Sequence, residues 1–312
     1  MRYLTSSVRA SVAILYPVCR WLSDRHRVTF ADMNAALRPR SIAATDVNDL
    51  IWSIRVGEDI GLLQRFGADR SPVDRVDWAL EEAAQSQYSE WYADPIKFRT
   101  LVRRKMLAKA VDDITKREEP SDVAVGLAWL LAQDPSRPLP QTYGGRWRSD
   151  GTSPEYVLAD QNLKKNYLDT PEQWNGFHRW AVALGCAEYS RGGRRSLVVP
   201  DPTAALAEEL LPIIPEDGMP ARDFYDAATT ELPILGRGSI SVFMRSAQGE
   251  YIDAHGDISV GPAFSFALRR LEAQGVIGLH DEHDASHRVD GVLYGQSWTF
   301  DRVTRGSGNG DE

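Results

Sequence analysis

Arginine carries the most suggestive chemistry in this 312-residue chain. Arg191, Arg194 and Arg195 stand in the run RGGRR, with two glycines between the cations. A guanidinium is a planar fork of donors that matches phosphate oxygens. At a hairpin tip it can reach the backbone or a narrow minor groove of duplex DNA. Arg269 and Arg270 fall in the phrase LRRLEAQG, on a helical pattern whose apolar side is Phe264, Ala267, Leu268 and Leu271, so both can face outward. Glu272, Asp281, Glu282 and Asp284 surround that pair with negative charge. Arg146 and Arg148 flank Trp147, whose ring could stack on a base. Arg103, Arg104 and Lys105 form a further cluster. For each group the plainer alternative is a solvated charged face, and for Arg103–Lys105 that alternative is preferred.

Other chemistries find weaker footing. His280, His283 and His287 sit among Asp281, Glu282 and Asp284, and three imidazoles with carboxylates could hold zinc. The segment reads as a strand and turn, however, which points His280 and His283 to opposite faces. A polar hairpin tip without metal is the expectation. GRGSIS at 236–241 has glycines but no following lysine, and reads as a loop rather than a phosphate cradle. No phosphate-binding loop, dinucleotide fingerprint or nucleophile elbow is present. His178 lies near Cys186, but both fall in apolar patterns and read as packing. The acidic residues are scattered over helix faces and assemble no nuclease centre. The expectation is a non-catalytic protein without cofactor.

The elements that would position these residues recur in one order: helix, short helix, longer helix, glycine, strand, polar turn, strand. That is the grammar of a winged helix-turn-helix, whose third helix and hairpin touch DNA. In the first passage Ser6 or Ser7 caps a helix carrying Val8, Val12, Leu15, Cys19 and Leu22 on one face. Thr29 starts FADMNAAL, the Arg38–Ser41 turn stops it, and Asp46 caps a third helix that Gly57 and Gly61 end. IGLLQRF is a strand. VDRVDWAL is a return strand or the start of the next helix. In the second passage Thr170 and Pro171 open TPEQWNGFHRWAVALG, followed by the hairpin CAEYS, RGGRR, SLVVPDP. In the third, RDFYDAATTELPIL and ISVGPAFSFALRRLEAQG are helices, with VIGLHDEHD and DGVLYGQSWTFDRV a strand pair around DASHRV.

The fold class expected is therefore mainly α with small β-hairpins, as tandem winged-helix-like modules joined by a helical segment. The modules cover 1–80, 155–215 and 216–304. A helical segment occupies 81–134, a Pro/Gly/Ser-rich linker 135–154, and a polar tail 305–312. The apolar stretch Ser11 to Cys19 is short, contains Pro17 and leads into Arg20, so it reads as a mature helix and not an export signal. Cys19 and Cys186 read as two buried thiols in a cytoplasmic protein with no membrane span. The net charge of −8 disfavours a protein basic all over but leaves room for a local basic patch.

The phrase LRRLEAQGVIGL, the stretch SDGTSPEYVLADQNLKKNYLD ahead of Thr170, and a module chain with an Arg-rich wing together resemble the DpdG-type accessory proteins. Those are encoded in bacterial clusters that insert 7-deazaguanine into DNA and restrict unmodified DNA, a form of phage defence. The resemblance implies a non-enzymatic component beside helicases and nucleases, and it carries over no catalytic residue. Two partners are expected: double-stranded DNA at the basic wing, and proteins of a larger complex. The acidic third hairpin suits a protein partner, so a scaffold built of winged-helix modules is the alternative.

Overall fold

The computed structural model describes residues 2–4, 10–38, 48–68, 71–141, 167, 168, 170–192, 195–247, 259–281 and 288–306. About half of the chain is helical, and the strands form small three-stranded sheets. No helix among the described residues is long and apolar enough to cross a membrane.

The first region runs α1 (Val12–Leu22), β1 (Val28–Thr29), α2 (Phe30–Leu37), α3 (Asn48–Asp59), β2 (Leu63–Phe66) and β3 (Asp77–Leu80). The Ser11 hydroxyl accepts the Ile14 N–H to cap α1, and Val12, Leu15, Val18, Cys19 and Leu22 are its buried face. Ser6, Ser7 and Asp46 lie outside the described residues, as do Pro39 to Ser41 of the expected turn. Thr29 caps α2 as its sequence suggests. The segment read as either strand or helix start is β3, the return strand.

A helical stretch follows: α4 (Glu82–Ser86), α5 (Tyr88–Trp91), α6 (Pro95–Thr115) and α7 (Asp122–Leu131). Every residue of α7 is buried. Its first residue, Asp122, accepts the N–H groups of Tyr3 and Leu4 at 2.8 and 2.9 Å and so pins the start of the chain to the middle of the molecule. Burial pushes this carboxyl up to about 6 against the pull of those N–H groups.

Next come β4 (Leu139–Pro140), α8 (Pro171–Ala183), β5 (Ala187–Gly192), β6 (Arg195–Pro200) and α9 (Thr203–Leu210). The stretch read as a linker thus contributes a strand, since β4 pairs with β6; its remainder, 142–154, lies outside the described residues. The chain ends with β7 (Met219–Pro220), α10 (Ala221–Glu231), α11 (Ser239–Ala247), β8 (Ser259–Val260), α12 (Pro262–Ala273), β9 (Ile277–His280), β10 (Val289–Leu293), β11 (Gln296–Phe300) and β12 (Arg302–Arg305). Two expectations change here. GRGSIS is not wholly loop, because Ser239 begins α11. The long return strand is two strands, because Tyr294 (φ 52) and Gly295 (φ 74) fold 289–300 into its own hairpin, and β9 pairs instead with β12.

Three of the four sheets share one topology. Their orders are β1-β3-β2, β4-β6-β5 and β7-β12-β9, so the last strand in sequence always lies between the other two. The fourth, β11-β10-β8, contains the parallel pair β8–β10. The helix before each hairpin also ends identically. Gly61, Gly185 and Gly275 follow α3, α8 and α12 at the same offset, with φ of 68, 75 and 69°. The N–H after each glycine reaches back to Gly57, Ala181 and Leu271 at 2.8, 2.9 and 2.9 Å. This is the six-to-one bond of a Schellman cap, which requires a left-handed residue that glycine adopts without strain. Buried side chains from Tyr3 to Val303 form one continuous apolar core beneath all three units.

Candidate nucleic-acid interface

The hairpin β5–β6 carries the arginines that the sequence singles out. Its base is held by α8. The Thr170 side chain accepts the Gln173 N–H while Gln173 answers the Thr170 N–H, a reciprocal capping box. Trp174, Phe177 and Trp180 are buried, which fixes the helix on the core. His178 on the same helix places Nδ1 2.8 Å from the Tyr189 hydroxyl on β5. Burial, helped by the neighbouring Arg179, pushes the His178 ring down to about 4, so it is neutral at neutral pH. The nearby Cys186 is a buried free thiol pushed up to about 11 by desolvation, with no nucleophile character. Cys19 is likewise free and buried.

The two strands pair without a break from Ala187↔Pro200 to Gly192↔Arg195, leaving two residues at the turn. Arg191 is exposed and stands opposite Ser196. Arg195 closes the ladder by its backbone; its side chain, together with Arg194, lies outside the described residues. Arg146, Trp147, Arg148, His283 and His287 lie outside them too. His280 sets Nε2 2.9 Å from the Thr304 hydroxyl. Among the described residues no three His, Cys, Asp or Glu side chains gather as a metal site would need.

Arg269 and Arg270 sit on α12 but their charges are met within the protein. Arg269 lies 3.9 Å above the Trp298 ring and 2.7 Å from Glu272. Arg270 pairs with Glu188 of β5 at 2.8 Å and with the buried Asp201. Asp201 also accepts the Thr203 N–H at 2.9 Å, at the start of α9. Arg270 thus ties α12 to strand β5 and to the residues just before α9, sharing one positive charge between two carboxylates.

In the cluster read as a solvated face, Arg104 is exposed and Lys105 half-buried, but Arg103 is the opposite. Arg103 is fully buried: its guanidinium lies 2.6 Å from Glu209 and 3.0 Å from Glu208, and donates to the Leu184 carbonyl at the end of α8 at 2.9 Å. Arg104 reaches the other Glu209 oxygen at 2.6 Å, and Arg99 pairs with Glu208. Sequence reasoning missed this network. Its signal was Glu209, which shares the helical face of Leu206 and Leu210 and must therefore be buried with a partner.

A family model described as DpdG-like matches residues 1–285. The chain belongs to the DpdG-like family. The match spans all three helix-glycine-strand units and stops between β9 and β10. It gives this DpdG-like protein an accessory place in a DNA modification system. No curated protein and no solved structure matches the chain.

Proposed function

We propose that this DpdG-like protein is a non-catalytic subunit that binds or senses duplex DNA within a larger bacterial assembly, working in phage defence. One observation carries the reading: three copies of a helix, a Schellman glycine and a strand, each strand lying in a sheet whose last strand in sequence sits in the middle. Winged helices are built in that order, with the third helix and the hairpin turned to the duplex. The second unit supplies the DNA contact, because Arg191, Arg194 and Arg195 stand in the run that joins its two hairpin strands, and Arg270 pairs with Glu188, the acid of β5.

The test is fluorescence anisotropy of a labelled duplex at low salt with the parent and with Arg191, Arg194 and Arg195 all changed to Ala. The parent binds, and the triple variant binds at least about tenfold more weakly. Equal affinity of the two proteins sinks the assignment of the wing.

A second reading has its own support. Arg269 and Arg270 are engaged within the chain, and the third wing is acidic, so the third unit suits a protein partner better than a phosphate backbone. In that reading the second unit holds DNA and the third holds a neighbouring subunit.

A further inference from the structure

A groove of about 510 Å³ runs along α6, and no residue of the β5–β6 hairpin lines it. Its floor is one face of that helix: Lys97, Leu101, Arg104, Lys105 and Ala108. From 97 to 108 this face extends about 16 Å, the length of three helical turns. Residues of α5 and of the end of α9 line the sides. Ile96, which lines the groove, is 55% exposed, and Ile213, next to the lining residue Pro212, is 40% exposed. They are two of the five exposed large apolar side chains among the described residues.

The charge of the groove runs against that of the chain. Lys97 and Lys105 have no ion-pair partner among the described residues, and Arg104 is 55% exposed although it touches Glu209. Of the two acids in the lining, Glu208 is matched by Arg99 and Arg103. Glu90 alone opposes the three cations. A positive, partly apolar trough in a protein of net charge −8 is a local exception. Phosphates would leave the two isoleucines against a charged backbone and would meet Glu90, so nucleic acid is disfavoured. A helix with an apolar stripe flanked by carboxylates satisfies the floor, the rim and the field together.

We propose that this groove docks an acidic amphipathic helix of a partner protein. The proposal stands independently of DNA binding at the β5–β6 hairpin. The probe is a fluorescein-labelled, three-turn synthetic helix with leucines on one face and glutamates flanking them. A second peptide carries lysine in place of each glutamate. The parent binds the acidic peptide saturably, more weakly as salt rises, and does not bind the lysine peptide. Lys97→Glu with Lys105→Glu weakens binding at least about tenfold, and Ile96→Ser with Ile213→Ser does the same. Both pairs alter exposed or rim positions, and unchanged melting curves confirm that the variants fold. The proposal is overturned if the acidic peptide is not bound, if the lysine peptide binds as well, or if both double variants bind like the parent. It is equally overturned if duplex DNA, and not the peptide, loses affinity in the Lys97→Glu, Lys105→Glu variant.

Discussion

Arg103 is a fully buried cation at the junction of three helices. It joins α6 to both acids of α9 and to the carbonyl that ends α8. Removing one partner of a buried pair strands the other in a medium that solvates it poorly, at about 3–5 kcal/mol. Arg103→Met should therefore lower stability by about that amount in urea unfolding, while leaving the isolated wing chemistry untouched. A loss below about 1 kcal/mol would mean that Arg104 alone satisfies Glu209. His178 makes a different kind of prediction. Folded, it takes up a proton only near pH 4; unfolded, it does so near 6.5. The unfolded state thus binds more protons between these values, and this residue's contribution is lost as pH falls from about 6.5 to about 4. Asp122 works in the opposite sense, holding a proton up to about 6 in the folded state and so costing stability as pH rises from about 4 to about 6. His178→Asn removes the first slope and leaves the second. Unfolding measured between pH 4.5 and 6.5 should show stability rising less with pH in the variant than in the parent. Parallel curves would contradict a buried neutral ring.

At the scale of elements, α7 packs closely on α8 and so ties the helical segment to the second unit. A methyl placed on Gly126 of α7 would lie 2.6 Å from the Phe177 ring of α8, which is fully buried and has no room to withdraw. Gly126→Ala should cost about 1–3 kcal/mol through overpacking, against the small gain expected of alanine in a helix. A stabilised variant in a thermal melt would show that the two helices are free to separate. Elements with strong local chemistry were legible in the sequence. Thr29 and Thr170 announce their caps, and the left-handed glycines announce three helix ends. Other elements were not. β1, β4 and β7 are two residues long and carry no period, so only pairing with a distant strand defines them. The Tyr294–Gly295 turn escaped because tyrosine rarely takes a positive φ. The β5–β6 hairpin was legible, and so was the run of arginines at its turn. Its supports were not, since Arg270 with Glu188, and Arg103 with Glu209, join residues that only the folded chain brings together.

At the scale of the whole molecule, three units of one topology share one core, and their surfaces differ. The second unit carries the arginine run at its hairpin, the third pairs its helix arginines within the chain, and α6 between the first and second offers a positive, partly apolar groove. In the two proposals, DNA and protein partners take separate surfaces of one accessory chain. The central claim is that the second wing meets the phosphates. Its most direct test is the salt dependence of duplex binding by the parent and by the Arg191, Arg194, Arg195 to Ala variant. The logarithm of affinity falls against the logarithm of salt with a slope of about −0.9 for each phosphate neutralised. The account predicts a negative slope for the parent and one shallower by about two to three in the variant. Identical slopes, or a parent that binds no duplex at any salt, would contradict it.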